Sequence, residues 1–236
     1  MAGIPLNPQF RSIAVLAKHS FYLTDIENEV KDLNINVVFA DTLAEVEELS
    51  QKGLDIEVVF FPHFSKKIPS DFLEKYNCVG FHTGDLPTDR GGSPIQNKIL
   101  RGEYRTVVSA IKLIDDIDAG AVICSDPVNL EHGSIEDILR YISKTISKLV
   151  RLILTSNLEP VQQIGIPRIN PRLSKSDSQL HIETLGIREI YDRIRMLDGL
   201  DYPPAFFTIG QYRIYLTDAE IRDGKLCFNS RLEENE

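Results

Sequence analysis

From Ser12 to Val128 the chain alternates short β-branched apolar runs with amphipathic stretches, and no other feature restricts its fold as strongly. Runs such as Val58–Phe61, within the stretch Ile56–Phe61, are apolar at every position rather than at every second one. A strand of that kind has no face to offer water, so it belongs in a sheet covered by helices on both sides. The alternation predicts an α/β architecture around a mostly parallel sheet, with strands at Ile13–Ala17, Ile35–Ala40, Ile56–Phe61, Cys78–His82, Val107–Leu113 and Ala121–Val128. Helix starts are expected where a hydroxyl and a carboxylate stand three apart and can satisfy the free end donors: Thr24 with Glu27, Thr42 with Glu45, Ser134 with Asp137. The last of these opens the longest helix, about Ile135 to Leu154, with Ile138, Leu139, Ile142, Ile146, Leu149 and Ile153 at helical spacing.

Pro160, Pro167, Pro171 and the polar run Ser174–Ser178 break both periodicities. We therefore expect a main domain over 1–155, a connecting segment over 156–178 and a small α+β subdomain over 179–236. That subdomain reads as a helix, Ile187–Leu197, then strands Ala205–Ile209, Tyr212–Leu216 and Leu226–Asn229, paired antiparallel through turns at Gly210-Gln211 and Asp223-Gly224.

Charge limits the partners. The 26 Lys+Arg against 35 Asp+Glu leave a net charge of −9, which repels an extended polyanion and predicts no nucleic-acid partner. No apolar run reaches the roughly 20 residues needed to span a bilayer, and Met1–Arg11 lacks a signal-peptide core, so no membrane partner and a cytoplasmic location are expected. Cys78, Cys124 and Cys227 have no metal-ligand spacing and read as buried free thiols.

Two polar clusters follow apolar strands. The first, His82 to Pro94, is the densest Gly-rich stretch and includes Asp85, Leu86-Pro87 and Arg90-Gly91. Ligands of open α/β sheets bind beyond the carboxyl ends of strands, and a histidine at such an exit can take or give a proton near neutral pH. The alternative is a strand-end histidine that only bonds backbone. The second cluster, Asp115-Asp116-Ile117-Asp118-Ala119-Gly120, crowds three carboxylates into four residues; they either receive donors or form a solvated acidic turn.

In this order and spacing, the two clusters resemble the formyltransferase family that uses 10-formyltetrahydrofolate. His82, Leu86-Pro87, Arg90-Gly91 and Asp118-Ala119-Gly120 match its loop motifs. The similarity continues through Phe60–Phe64, Lys67–Pro69, Ile190–Arg195 and Tyr202–Phe206, and is weakest before Leu54. The resemblance implies a Rossmann-like formyltransferase fold with a small C-terminal unit, and His82 and Asp118 as catalytic residues, with the carboxylate fixing the imidazole tautomer. It also implies a pocket for the formyl donor, 10-formyltetrahydrofolate, at Phe61, His63, Phe64, Gly80, Ile114, Asp115 and Asp116. Asp85, Arg90 and Gly91 would meet the acceptor, and no metal is required.

One departure stands out. The family's asparagine, a donor to the developing oxyanion, falls at position 80, where this chain has Gly80. Losing such a donor commonly costs about 10²–10³ in turnover. Among Gln96, Asn97 and His63, Asn97 is the preferred substitute, and is counted here with the catalytic residues. The resemblance leaves several acceptors. Net charge disfavours tRNA, Leu180–Glu236 is short for a full tRNA-contacting barrel, and ribonucleotide-specific relatives lack such a C-terminal unit. A nucleotide-linked amino sugar is the expected acceptor, with Arg90, Arg193 and Arg195 as phosphate partners; the apolar second unit with Tyr202, Phe206 and Phe207 packs either within the chain, the default, or on a second subunit of a homodimer. A non-catalytic binding protein and a 10-formyltetrahydrofolate hydrolase are the alternatives.

Overall fold

The computed structural model describes residues 11–64, 66–199 and 201–234. Strands β1 (Ser12–Val15), β2 (Asn36–Phe39), β3 (Val58–Phe61) and β4 (Cys78–Thr83) precede a two-residue strand, β5 (Arg90–Gly91); β6 (Arg105–Lys112) and β7 (Val122–Asn129) follow. Six of them make the central sheet, in the order β2-β1-β3-β4-β6-β7. The pairs β1–β2, β1–β3 and β3–β4 are parallel, and β4–β6 is antiparallel. The expected mostly parallel α/β sheet is thus the one observed, each strand within about two residues of its expected position.

Chain contacts divide the protein into two compact units that interleave along the sequence: the chain through Gly91 with Thr106–Val128 and Arg140–Ile169, and Gly92–Arg105 with Asn129–Leu139 and the chain from Asn170 onward. In the first unit, helices α1 (Ser20–Val30), α2 (Leu43–Gln51) and α3 (Ser70–Lys75) link the parallel strands. Ala14, Leu16, Val59, Phe61 and Cys78 point to one side of the sheet and pack with Val46 of α2 and with Phe72 and Tyr76 of the α3 segment. Ile13, Val15, Val58, Phe60 and Val79 alternate with them and are also buried, which explains the unbroken apolar runs.

Helix starts follow the caps only in part. Thr42 caps α2 by accepting from the Glu45 N–H, while the Glu45 carboxylate accepts from the Asp41 N–H at 2.9 Å. Ser134 and Asp137 exchange hydrogen bonds at the start of the 21-residue helix α5 (Ile135–Thr155). Thr24 corrects the reading: α1 begins four residues earlier, and the Thr24 hydroxyl donates back to the Ser20 carbonyl within the helix. Helices α3 and α4 (Pro94–Leu100) carry no expectation, since six or seven residues are too few to display a helical period.

The connecting stretch after α5 is extended, with the short strand β8 (Ile169–Asn170) paired to β5. The second unit carries α6 (Ile187–Arg195) and an antiparallel sheet of β9 (Ala205–Ile209), β10 (Tyr212–Arg222) and β11 (Lys225–Glu234), in the order β11-β10-β9. β10 and β11 run well past their expected ends. A register shift between Thr217 and Glu220, with Asp218 at φ 52°, carries the polar residues Asp218, Glu220 and Arg222 inside a bulged strand rather than a loop. The cysteine expectation holds for Cys78 alone: Cys124 is half-buried and Cys227 is exposed on β11, the outer strand of a sheet that buries little of it. Among the described residues no helix is long and apolar enough to cross a membrane.

Candidate active site

β4 supplies the histidine. His82 is the penultimate residue of the strand and only 5 % exposed. Its ring lies between two acceptors, with Nε2 2.6 Å from the Asp89 carbonyl oxygen and Nδ1 3.4 Å from Asp118 Oδ2. A carbonyl at 2.6 Å accepts and cannot donate, so Nε2 carries a hydrogen toward it, while Nδ1 stands toward the carboxylate. The main-chain carbonyl of Asp89 takes one ring nitrogen, and the Asp118 carboxylate faces the other.

The Asp118 carboxylate is held from several sides. Its backbone is left-handed, φ 48°, and the Gly91 N–H donates to Oδ2 at 2.9 Å. Gln163 donates its amide N–H groups to the Asp118 and Gly120 carbonyls at 2.7 and 2.8 Å, and its own oxygen accepts from Arg90 Nε and Nη2 at 3.0 and 2.7 Å. Gly120 is required here, because a Cβ would sit 1.6 Å from the Lys112 carbonyl oxygen. The loop carrying Asp89 is stapled as well: Arg168 Nη2 meets Asp89 Oδ1 at 2.9 Å, Arg168 Nε donates to the Thr88 carbonyl, and the Asp85 N–H donates to Asp89 Oδ2. Gln163, Arg168 and Asp89 escaped the sequence reading. The two prolines around them, Pro160 and Pro167, suggested a connector, whereas a Gln and an Arg at this spacing wall the site.

The other expected residues divide. Asp85 is exposed and accepts from the Thr106 hydroxyl at 3.2 Å. Arg90 holds Gln163, and Gly91 holds Asp118. Phe61 and Phe64 stack edge to face at 5.0 Å; Phe61 is buried in the core and offers a ligand only its main chain, while Phe64 is half-buried against that core. His63, at φ 50°, stacks on Tyr22. Ile114 is 46 % exposed. Asp115 is drawn away by Lys67 at 2.9 Å and Ser70 at 3.2 Å, and the Lys67 ammonium holds its carboxyl below the usual range. Asp116 accepts from the Ala119 N–H through its main chain.

Gly80 and His82 share a face of β4, and the space over Gly80 is taken by an apolar group: a Cβ at residue 80 would lie 2.6 Å from Leu113 Cδ2. Asn97 does not supply the missing donor. Its Nδ2 donates to the carbonyls of Gly92, Ser93 and Pro171 at 2.9–3.0 Å, which ties a turn together and leaves that nitrogen no free hydrogen. The Gln96 amide, buried, donates to Met196. Arg195 is not a phosphate partner either; it is 1 % exposed, with Nε on Asp192 at 2.7 Å and Nη1 on the Gly133 carbonyl. Arg193, on the same helix, is only half-buried.

The site thus sets a buried imidazole against a carboxylate at a strand end of an α/β sheet, beside loops that carry glycines and arginines. Comparison with known proteins gives the family. A family model described as the C-terminal domain of methionyl-tRNA formyltransferase matches residues 175–231. The solved methionyl-tRNA formyltransferase from Clostridium thermocellum is 31 % identical, superposes with a TM-score of 0.85, and covers 96 % of this chain and 100 % of its own. A methionyl-tRNA formyltransferase from Caldicellulosiruptor saccharolyticus is 29 % identical over 187 residues, 75 % of this chain and 58 % of its own length. HypX from Aquifex aeolicus, solved in complex with tetrahydrofolic acid, shares the fold at 19 % identity and a TM-score of 0.75, over 89 % of this chain and 37 % of that one. The chain belongs to the formyltransferase family. It spans about 60 % of the length of the curated relatives it matches.

Proposed function

We propose that this chain transfers a formyl group from 10-formyltetrahydrofolate to the amine of a small acceptor, a nucleotide-linked amino sugar. The observation that carries the reading is the pair of buried His82 and half-buried Asp118, with Nδ1 3.4 Å from Oδ2. In formyl transfer the attacking amine must lose a proton as the new C–N bond forms. Nδ1 can take a proton there, and the resulting N–H meets an acceptor already fixed by the Gly91 N–H. Arg90 and Gln163 hold the loop so that the carboxylate stays in place.

The donor fits the residues present. Ile114 and Ile117, 46 % and 68 % exposed, offer an apolar rim, and the main chain of Asp115–Asp118 beside them offers donors and acceptors suited to a planar heterocycle. We assign the donor to this loop and to the main chain of Phe61–Phe64, and assign catalysis to the first of three consecutive regions, 1–155, 156–178 and 179–236.

Net charge supports the small acceptor. A second reading, methionyl-tRNA as acceptor, is favoured by the match over residues 175–231 and by the names of the similar proteins. Release of tetrahydrofolate from 10-formyltetrahydrofolate, followed with nucleotide-linked amino sugars, with methionyl-tRNA and without an amine, separates the readings. Release that requires the sugar supports the proposal, release that requires tRNA replaces the acceptor, and formate formation with no amine makes the chain a hydrolase. Silence in every arm, with the ligand bound, reduces it to a binding protein.

A further inference from the structure

β11 is an outer strand ten residues long, and among the described residues no strand pairs with its free edge. Such an edge is a template for another strand unless something blunts it. Its side chains are uneven. Leu226, Phe228 and Leu232 alternate onto one face, with Phe228 42 % and Leu232 58 % exposed, and Ile214 stands directly opposite Leu232 on β10. Charges sit near both ends: Lys225 at the start, with no ion pair among the described residues, and Glu233 and Glu234 at the finish.

We infer that β11 pairs antiparallel with β11 of a second copy of this chain, with Asn229 opposite Asn229 on the two-fold axis. Geometry restricts the register. Only every second residue of an edge strand turns its main-chain N–H and C=O outward, so in an antiparallel self-pair odd residues face odd and even face even. With Asn229 on the axis, Lys225 lies opposite Glu233 of the other copy, twice by symmetry, and Leu226 lies opposite Leu232, also twice. Glu233, which within its own chain meets Arg231 at 2.9 Å, gains a second cation. The neighbouring allowed registers lose this match. An axis at Phe228 sets Lys225 against Arg231, and an axis at Ser230 sets Leu226 against Glu234. Charge and apolar pattern therefore select one occupant and one alignment. This inference does not depend on the proposed activity.

Two experiments on the full chain test it. The first measures mass in solution by light scattering across a dilution series. Wild type should run as a dimer, Lys225→Glu should weaken association at least tenfold, and Lys225→Glu combined with Glu233→Lys should recover it to within about threefold. The second places single cysteines in a Cys227→Ser background under mild oxidation. Asn229→Cys should form an intermolecular disulfide, since directly opposed strand residues lie within disulfide reach, whereas Ser230→Cys should lag by at least tenfold. A monomeric wild type, failure of the charge reversal to rescue, or faster cross-linking at residue 230 overturns the pairing. Unchanged circular dichroism of each variant excludes misfolding as the cause.

Discussion

Two polar clusters, one in each unit, set a carboxylate against nitrogen-bearing side chains, and they are built differently. In the second unit Asp192 gives one oxygen to Arg195 at 2.7 Å and the other to Tyr104 at 2.6 Å and Arg188 at 3.1 Å. The arginines then reach the Gly133 and Glu131 carbonyls and lie over the Tyr104 and Tyr191 rings. Both carboxylate oxygens have short partners, and the cluster braces α6. In the first unit Asp118 meets His82 only at 3.4 Å, longer than an ordinary hydrogen bond. A tightly paired cluster holds structure; a loosely paired one leaves room for a proton to move.

The comparison breaks most visibly through turnover. His82→Ala should lower formyl transfer by about 10³ or more, within and above the usual range for a positioned acid-base group, while the thermal midpoint moves by only a few degrees. Activity within tenfold of wild type would remove His82 from the reaction. Asp192→Ala should do the reverse. Removing one partner of a buried ion cluster leaves charges uncompensated, so it should cost about 3–5 kcal/mol in denaturant unfolding; a loss under about 1 kcal/mol would make that brace dispensable.

Gln163→Ala sharpens the contrast within the first unit. It frees Arg90 and the Asp118 loop without touching His82, so kcat/KM should fall about tenfold, by analogy with the loss of groups that orient a reactive residue, and its dependence on pH should shift. A structural role alone would lower stability and leave the pH profile in place.

The smallest effects concern the thiols. Burial pushes Cys78 up to about 12, and burial, aided by Asp126, pushes Cys124 up to about 11, from a usual value of 9.0. A thiol whose folded value is raised contributes stability that is whole below pH 9 and is lost as pH rises through the folded values, because the unfolded chain gives up its proton first. Unfolding free energy should therefore decline between pH 9 and pH 12, with the Cys78→Ala variant declining less. Exposed Cys227 should react first with a thiol reagent at pH 8, and Cys78 only on unfolding; labelling of Cys78 in the native protein would contradict its burial.

What the sequence discloses follows from range. The central strands are legible because both of their faces are buried, so Val58–Phe61 announces itself without reference to any neighbour. His82 and Asp118 are legible because glycine-rich loops at strand ends narrow where chemistry can sit. Gln163 and Arg168 are not, since their roles depend on groups 43 to 80 positions away, the Gly120 and Thr88 carbonyls among them, and nothing local distinguishes them from a connector. Gly80 was legible as a gap, but its filling was not: an isolated glycine does not say that Leu113 covers it, and an amide such as Asn97 does not reveal that three nearby carbonyls claim its nitrogen.

The most direct test is a single turnover with isotopically labelled formyl donor, enzyme in excess, and the acceptor that the panel identifies, run side by side with wild type and His82→Ala. The account predicts that label moves to the acceptor nitrogen in wild type and stays on the donor in the variant, although both bind donor equally well. Equal transfer by the two proteins would contradict it.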